Sequence, residues 1–325
     1  MYRYTWGGTM EGPNKSRKIV ISTTSLVRCF LLSSASTVLF CAASFVPLLG
    51  IAAFLFSPTP LALLGVQENK IWMTAGLLGA AIFLLYFMGP WVFSYFLVTQ
   101  GFLCFGLTLP LGKVKSGGEG LLFCTVTSIV SKIIFMALFV KLTGKHPVMV
   151  DVSALRVLLV QTYSGGLGQD VAPLTDLVER TITLISYMTP SFVIFLSMVD
   201  SFLNYRLCET LQRRRAVMLP ALPPLGTWRF SGSLFWALLC AFILSVVAEE
   251  WPLAIMLSLN LKFLVNMFFF LQGISLIWWW LTKRAVHVLL RGLIVSLLCL
   301  PVLGMWVIAL GVGDICFDFR TKKRK

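Results

Sequence analysis

The sequence is poor in charge, and the charge it has is lopsided. Only 12% of the 325 residues are Asp, Glu, Lys or Arg, about half the share usual in soluble domains. The 13 acidic residues are outnumbered by 27 basic ones, for a net charge of +14. His146 and His287 are the only histidines, too few for a histidine-based metal or acid–base centre. None of the eight cysteines forms a CxxC pair, and five lie inside apolar runs, where a thiol behaves as a small hydrophobe. Neither a metal site nor a disulfide framework is expected. There is no Walker motif, no HExxH and no GxSxG, so neither a catalytic activity nor a cofactor is expected. The basic excess does not call for nucleic acid either. Lys15, Arg17, Lys18, Lys113, Lys115, Arg213, Arg214, Arg215, Lys283 and Arg284 lie in a tail or between apolar runs, where cations set orientation and meet anionic head groups.

What the chain has in quantity is long hydrophobic sequence, 58% of all residues. Residues 30–56, 71–88, 91–111, 121–140, 182–203, 230–248, 253–281 and 286–312 are each dominated by Leu, Ile, Val, Phe, Ala and Trp. A helix needs roughly 20 apolar residues to cross a ~30 Å hydrocarbon core, and the backbone has no water to bond there. The expected fold is all-α, a polytopic transmembrane helix bundle of eight or nine spans in the cell membrane. The count turns on 30–66, where Pro47, Gly50, Pro58 and Pro60 allow one bent span with a loop or two short spans. The run beginning at Phe30 continues to Phe56, too long for a cleaved signal peptide. Residues 1–27 read as a basic tail, 28–315 as one transmembrane domain and 316–325 as a basic C-terminal tail. Two polar interruptions are expected, an insertion at 142–180 with short surface helices and a basic, proline-rich loop at 204–229. With nine spans the triple arginine 213–215 is cytoplasmic and Arg320 is not; with eight, both tails are inside and the triple arginine is not.

Ionisable and amide groups inside such runs are candidates for function, because burying them in lipid costs about 2.5–3.5 kcal/mol for a charge. Lys132 lies mid-run beside Ser128 and Ser131. It either faces an anionic ligand or pairs with a carboxylate across the bundle, for which Asp200 is the candidate. Asp200 and Asn204 stand one turn apart near the expected end of their span. Asn260, Lys262, Asn266 and Gln272 follow on another run; Lys262 and Asn266 are i, i+4 and share a face. These amides line a polar cavity for a small ligand or serve as interhelical hydrogen bonds. Ser33, Thr37 and Cys41 make a small-residue stripe suited to close helix packing. The three consecutive tryptophans 278–280 suit a membrane interface.

A set of ordered landmarks carries a resemblance. They are Val46-Pro47-Leu48-Leu49-Gly50 with Pro58-Thr59-Pro60-Leu61-Ala62-Leu63-Leu64, then Leu222-Pro223-Pro224-Leu225-Gly226-Thr227-Trp228-Arg229-Phe230. After these come Asn260-Leu261, Leu271-Gln272-Gly273 and the ending Leu310-Gly311-Val312-Gly313-Asp314-Ile315-Cys316-Phe317-Asp318-Phe319-Arg320. Together they resemble the YybS-type uncharacterised bacterial membrane proteins over residues 46–320. The turn Gln67-Glu68-Asn69-Lys70 departs from that pattern, being less basic and lacking glycine. That family is in turn distantly similar to the substrate-binding S subunits of energy-coupling-factor transporters. The resemblance implies a helical bundle that binds a small molecule and associates with membrane partner subunits. The expected function is therefore solute binding as a transporter-like or transport-accessory subunit, in contact with the lipid bilayer. The alternative is a structural or interaction protein of the bacterial cell envelope without transport activity.

Overall fold

The structure, a computed structural model, describes residues 23–109, 113–144, 172–212, 219–247, 251–298 and 300–320. Among the described residues all regular structure is helical. In chain order these are α1 (Thr23–Phe45), α2 (Pro47–Leu55), α3 (Pro58–Gln67), α4 (Lys70–Met88), α5 (Pro90–Tyr95), a π-helical turn (Phe96–Gln100), α6 (Gly101–Thr108), α7 (Gly117–Thr143), α8 (Ala172–Gln212), a 3-10 turn (Leu225–Thr227), α9 (Ser233–Val247), α10 (Pro252–Lys283), α11 (Val288–Leu298) and α12 (Pro301–Phe317). Proline opens α2, α3, α5, α10 and α12, where its fixed φ suits the first turn and its missing N–H is no loss. Asn69 caps α4 by accepting from the Ile71 and Trp72 amides, both at 3.0 Å. Ser116 caps α7 through the Glu119 amide, and Gly144, left-handed at φ 68°, ends it.

Among the described residues six helices are long and apolar enough to cross a membrane: Thr23–Phe45, Lys70–Met88, Pro90–Thr108, Gly117–Thr143, Leu177–Gln212 and Pro252–Lys283. The pair Val288–Leu298 and Val302–Phe317, bent by 105°, makes a seventh if counted as one span. This is fewer than the eight or nine expected from hydropathy, for three physical reasons. The first apolar block yields one long helix and two of 9 and 10 residues, each only about 15 Å long. The run at 230–248 forms the 15-residue α9, about 22 Å. The last run is broken ahead of Pro301.

Element boundaries also differ from expectation. Helix α8 runs Ala172–Gln212, taking in the end of the expected insertion at 142–180 and the start of the expected loop at 204–229. Residues 145–171 of that insertion, where the first of the short surface helices is expected, lie outside the described residues. Helix α1 starts inside the expected 1–27 tail, and α12 extends past 315.

The core forms around α3, in which every residue from Pro58 to Gly65 is buried. Leu61 and Ala62 share one buried core with Met73, Leu77 and Leu84 of α4, Leu103 and Cys104 of α6, and Tyr205 and Cys208 of α8. A second packing unit is the crossing of α10 with α12. A Cβ on Gly273 would overlap the Val307 carbonyl, and one on Gly311 the Phe269 carbonyl, so these glycines set the distance of approach.

Several contacts bring many helix ends to one end of the bundle. Glu68, after α3, pairs with Arg28 of α1 at 2.6 Å. Thr108 of α6 meets Met73 of α4. Gly117 packs on the Ala221 backbone, Gly226 on Trp279, and Arg320 donates to the Gly226 carbonyl at 2.7 Å. Arg28, Lys70, Lys115, Lys283 and Arg320 therefore all stand at this end.

Candidate functional site

Two short helices meeting in the interior leave backbone groups that the helices themselves cannot satisfy. Between α2 and α3 the chain tightens through i→i−3 bonds: Phe56 to Ala53, Ser57 to Phe54 and Thr59 to Phe56, each 3.1 Å. Pro58 and Pro60 bring no N–H. Carbonyls on both sides of the break are met from neighbouring helices, that of Leu55 having lost its helical donor. Asn204 Nδ2 donates to Leu55 O at 2.8 Å, Ser36 Oγ to Ser57 O at 2.6 Å, and Cys104 Sγ to Pro58 O at 3.4 Å.

Asn204 is the hub. Besides Leu55, its Nδ2 reaches the Asp200 carbonyl (2.8 Å) and Asp200 Oδ1 (3.1 Å), while its Oδ1 accepts from Thr59 Oγ1 at 2.7 Å. Asp200 Oδ2 in turn receives Lys132 Nζ at 3.2 Å, and Lys132 also donates to Ser128 Oγ at 2.6 Å. Among the described residues these two partners leave a third ammonium N–H of Lys132 unused. The side chains of Lys132 and Asp200 keep 18% and 17% of their exposure; the pair is shielded but not sealed. Buried polar atoms without a partner among the described residues include Ser57 Oγ at the helix break, Ser197 and Ser201 Oγ close in sequence to Asp200 on α8, and Gln100 Oε1 in the π-helical turn. An open, mostly apolar groove of about 570 Å³, walled by Phe40, Phe54, Trp91, Tyr95 and Phe135, lies further along α7, and neither Lys132 nor Asp200 lines it. Phe135 stands one helical turn from Lys132 and packs edge-on against Tyr95, ring centroids 4.9 Å apart.

The structure thus brings Lys132, Asp200 and Asn204 together at the break. It places Asp200 well inside α8, twelve residues before the helix ends, rather than near a loop, and Asn204 in the core rather than in a loop. The other candidates lie elsewhere. Asn260 is spliced into α8 beside Pro190: its Oδ1 accepts from the Ser191 amide (2.8 Å) and its Nδ2 donates to Tyr187 O (2.7 Å). Those are the two groups that an i→i−4 bond would join. Gln272 Nε2 donates to Asp314 Oδ2 at 2.5 Å, and its Oε1 accepts from the Phe230 amide at 3.0 Å. Asn266 is exposed and Lys262 half-buried; among the described residues neither has a hydrogen bond or ion pair, and neither joins the site. The stripe Ser33, Thr37 and Cys41 is half-buried to buried on α1, whose main neighbours are α2, α4 and α3.

Sequence reasoning missed the cluster at the end of α12. Arg320, expected in a basic C-terminal tail, is 4% exposed and pairs with Asp314, 2% exposed, at 3.0 Å. It also donates to Gly226 O, Trp228 O and Ser275 Oγ. Burial pulls the guanidinium below its usual range, and the Asp314 carboxylate offsets this. The signal was available: Asp314 and Arg320 belong to the ending that carried the resemblance.

The family described as "Predicted membrane protein (DUF2232)" matches residues 34–315. The uncharacterised protein YybS of Bacillus subtilis (strain 168) is 24% identical over 294 residues, covering 86% of this chain and 91% of the relative. No solved structure matches.

Proposed function

The chain belongs to the DUF2232 family of predicted membrane proteins, and we propose that it binds a small solute within the bundle, as a transporter-like or transport-accessory subunit of the cell membrane that carries out no catalysis. The observation supporting this is the broken α2–α3 helix beside the incompletely sealed Lys132–Asp200 pair. Discontinuous helices are tolerated at membrane depth only where protein or a cavity satisfies their freed groups, and solute sites of transporters are commonly built on them. Asn204 supplies that satisfaction here, while the third N–H of Lys132 and the unpartnered serine hydroxyls offer a ligand hydrogen bonds. The remote resemblance to substrate-binding subunits, and with it a partner subunit in the membrane, forms part of the same proposal.

The reading includes a topology. The broken pair α2–α3 and the short α9 serve as full passes, giving eight, while α11 and α12 form a re-entrant hairpin that begins and ends at the basic end. That end is cytoplasmic by the positive-inside tendency. Gln212, which precedes the triple arginine, and Arg320 then lie on the same side. This removes the conflict that charge counting meets, with eight spans or nine, when the last run is counted as a pass.

The test is thermal unfolding of the purified chain in detergent against a metabolite collection. A ligand that binds only the folded state raises the midpoint by mass action. The reading expects at least one stabiliser, lost in Lys132→Met; a broad collection without any stabiliser counts against it. The second reading, a structural envelope protein, draws on the full commitment of Asn260 and Gln272 to interhelical bonds. Crosslinking to one stoichiometric partner without ligand dependence favours it.

A further inference from the structure

The end of α10 carries three consecutive indoles, and each has a cation over it. Lys283 Nζ sits 5.2 Å from the Trp279 ring, the Arg284 guanidinium 4.4 Å from Trp280, and the Arg291 guanidinium, reaching back from α11, 5.4 Å from Trp278. The turn that brings them together is held by the bonds Arg284 N–H to Trp280 O, Ala285 N–H to Thr282 O and Val286 N–H to Leu281 O. Ala285 adopts the left-handed region at φ 54°, an unfavourable conformation for a residue with a Cβ. Among the described residues none of the three cations has an ion pair. Arg291 donates to Thr282 Oγ1 at 2.6 Å, and its Nε is buried with no hydrogen-bond partner among those residues. Three positive charges within nine residues, without a carboxylate partner among the described residues, call for an anion with several acceptor oxygens.

The neighbourhood says what kind of molecule carries that anion. Helix α11 presents Leu289 at 76%, Leu293 at 57% and Leu290 at 49% exposure, and it starts beside the cation cluster. An exposed apolar helix with a cationic cluster at one end matches an amphiphile with an anionic head and acyl chains, and the indoles suit the head-group level. We infer that Lys283, Arg284 and Arg291, held on Trp278–Trp280, form a binding site for the phosphate of an anionic phospholipid whose chains lie along α11. This is independent of the solute site proposed above: it lies on another part of the bundle and shares no residue with it.

The test uses the full-length purified chain in detergent with phosphatidylglycerol, with phosphatidylcholine of the same acyl chains, or with inorganic phosphate. Bound lipid is counted by native mass spectrometry, and the unfolding midpoint is followed alongside. Wild type is expected to retain phosphatidylglycerol and gain thermal stability from it alone. Arg284→Gln/Arg291→Gln is expected to bind it on the order of tenfold or more weakly, and Lys113→Gln/Lys115→Gln, which removes equal charge elsewhere, to bind as wild type. Equal loss in both pairs, equal retention of phosphatidylcholine, or the same stabilisation by inorganic phosphate would overturn the inference. If the double variant does not fold, Arg284→Gln carries the same comparison, because that exposed side chain makes no other bond among the described residues.

Discussion

Asn204 offers the sharpest test of the helix break, because so much rests on one buried amide. Its side chain is fully buried and takes part in four hydrogen bonds of 2.7–3.1 Å. Leucine keeps the branching and heavy-atom count of the side chain but has bulkier methyl groups, so the expected loss comes from polar groups left unpaired and from tighter packing rather than from a cavity. Two matter, the Leu55 carbonyl at the end of α2 and the Thr59 hydroxyl at the start of α3; the Asp200 carbonyl has its own helical partner. An orphaned buried group costs about 1–3 kcal/mol, and interhelical bonds in membranes about 0.6–2, so Asn204→Leu should destabilise by roughly 2–4 kcal/mol. At about 2–4 °C per kcal/mol for a chain somewhat smaller than this one, the midpoint should fall by roughly 5–15 °C. Thr59→Val removes one bond and should cost about 1 kcal/mol. The double variant Asn204→Leu/Thr59→Val should be no worse than Asn204→Leu, since the hydroxyl has already lost its acceptor. The measurement is detergent thermal unfolding followed by intrinsic fluorescence. A change under about 2 °C in Asn204→Leu, or strict additivity in the double variant, would refute the assignment of this amide as the bridge across the break.

Three further outcomes are expected. Lys132→Met should insert and fold, because the abandoned Asp200 can take up a proton, yet lose any ligand-induced stabilisation; wild-type ligand response in both Lys132→Met and Lys132→Arg would remove Lys132 from the site. Asn260→Leu should lower stability by about 1–3 kcal/mol, and by less in a Pro190→Ala background, where a relaxed α8 can join Ser191 to Tyr187 directly; equal losses in the two backgrounds would contradict the splice. Arg320→Gln should cost about 3–5 kcal/mol by stranding the buried Asp314 carboxylate, whereas Asp318→Asn, 47% exposed and paired with Arg229, should change the midpoint little; similar effects of the two would show the Arg320 clamp to be open in solution.

What was legible in the sequence, and what was not, divides along a physical line. Apolar length reports how much chain can sit in lipid, so the membrane class and the all-α fold could be read directly. It does not report where a helix stops. The run at 182–203 ends at Leu203, but α8 continues to Gln212 because Tyr205, Cys208 and Gln212 turn a second, polar-edged face into the core. That continuation is why Asp200 and Asn204, assigned to a boundary, stand inside the bundle. Charge inside an apolar run identified Lys132 and Asp200, and their pairing across 68 residues is what two such charges need in lipid. For amides, periodicity gave the spacing but not the phase. Lys262 and Asn266 share a face as i, i+4 residues must, and that face is not the one turned toward α8 and α12, whereas Asn260 and Gln272 point at neighbours. A helix shows from sequence which of its residues lie together; which side faces protein is decided by the other helices. The same holds for Arg320, whose burial depends on the Gly226 and Trp228 carbonyls 94 and 92 residues earlier. At this site, as at the α2–α3 break, the polar groups that matter are those left over by backbone that cannot complete its own helix. Proline pairs such as Pro58 and Pro60, set inside an apolar run, are the sequence mark of that condition, and the residue that answers it must be sought on another helix.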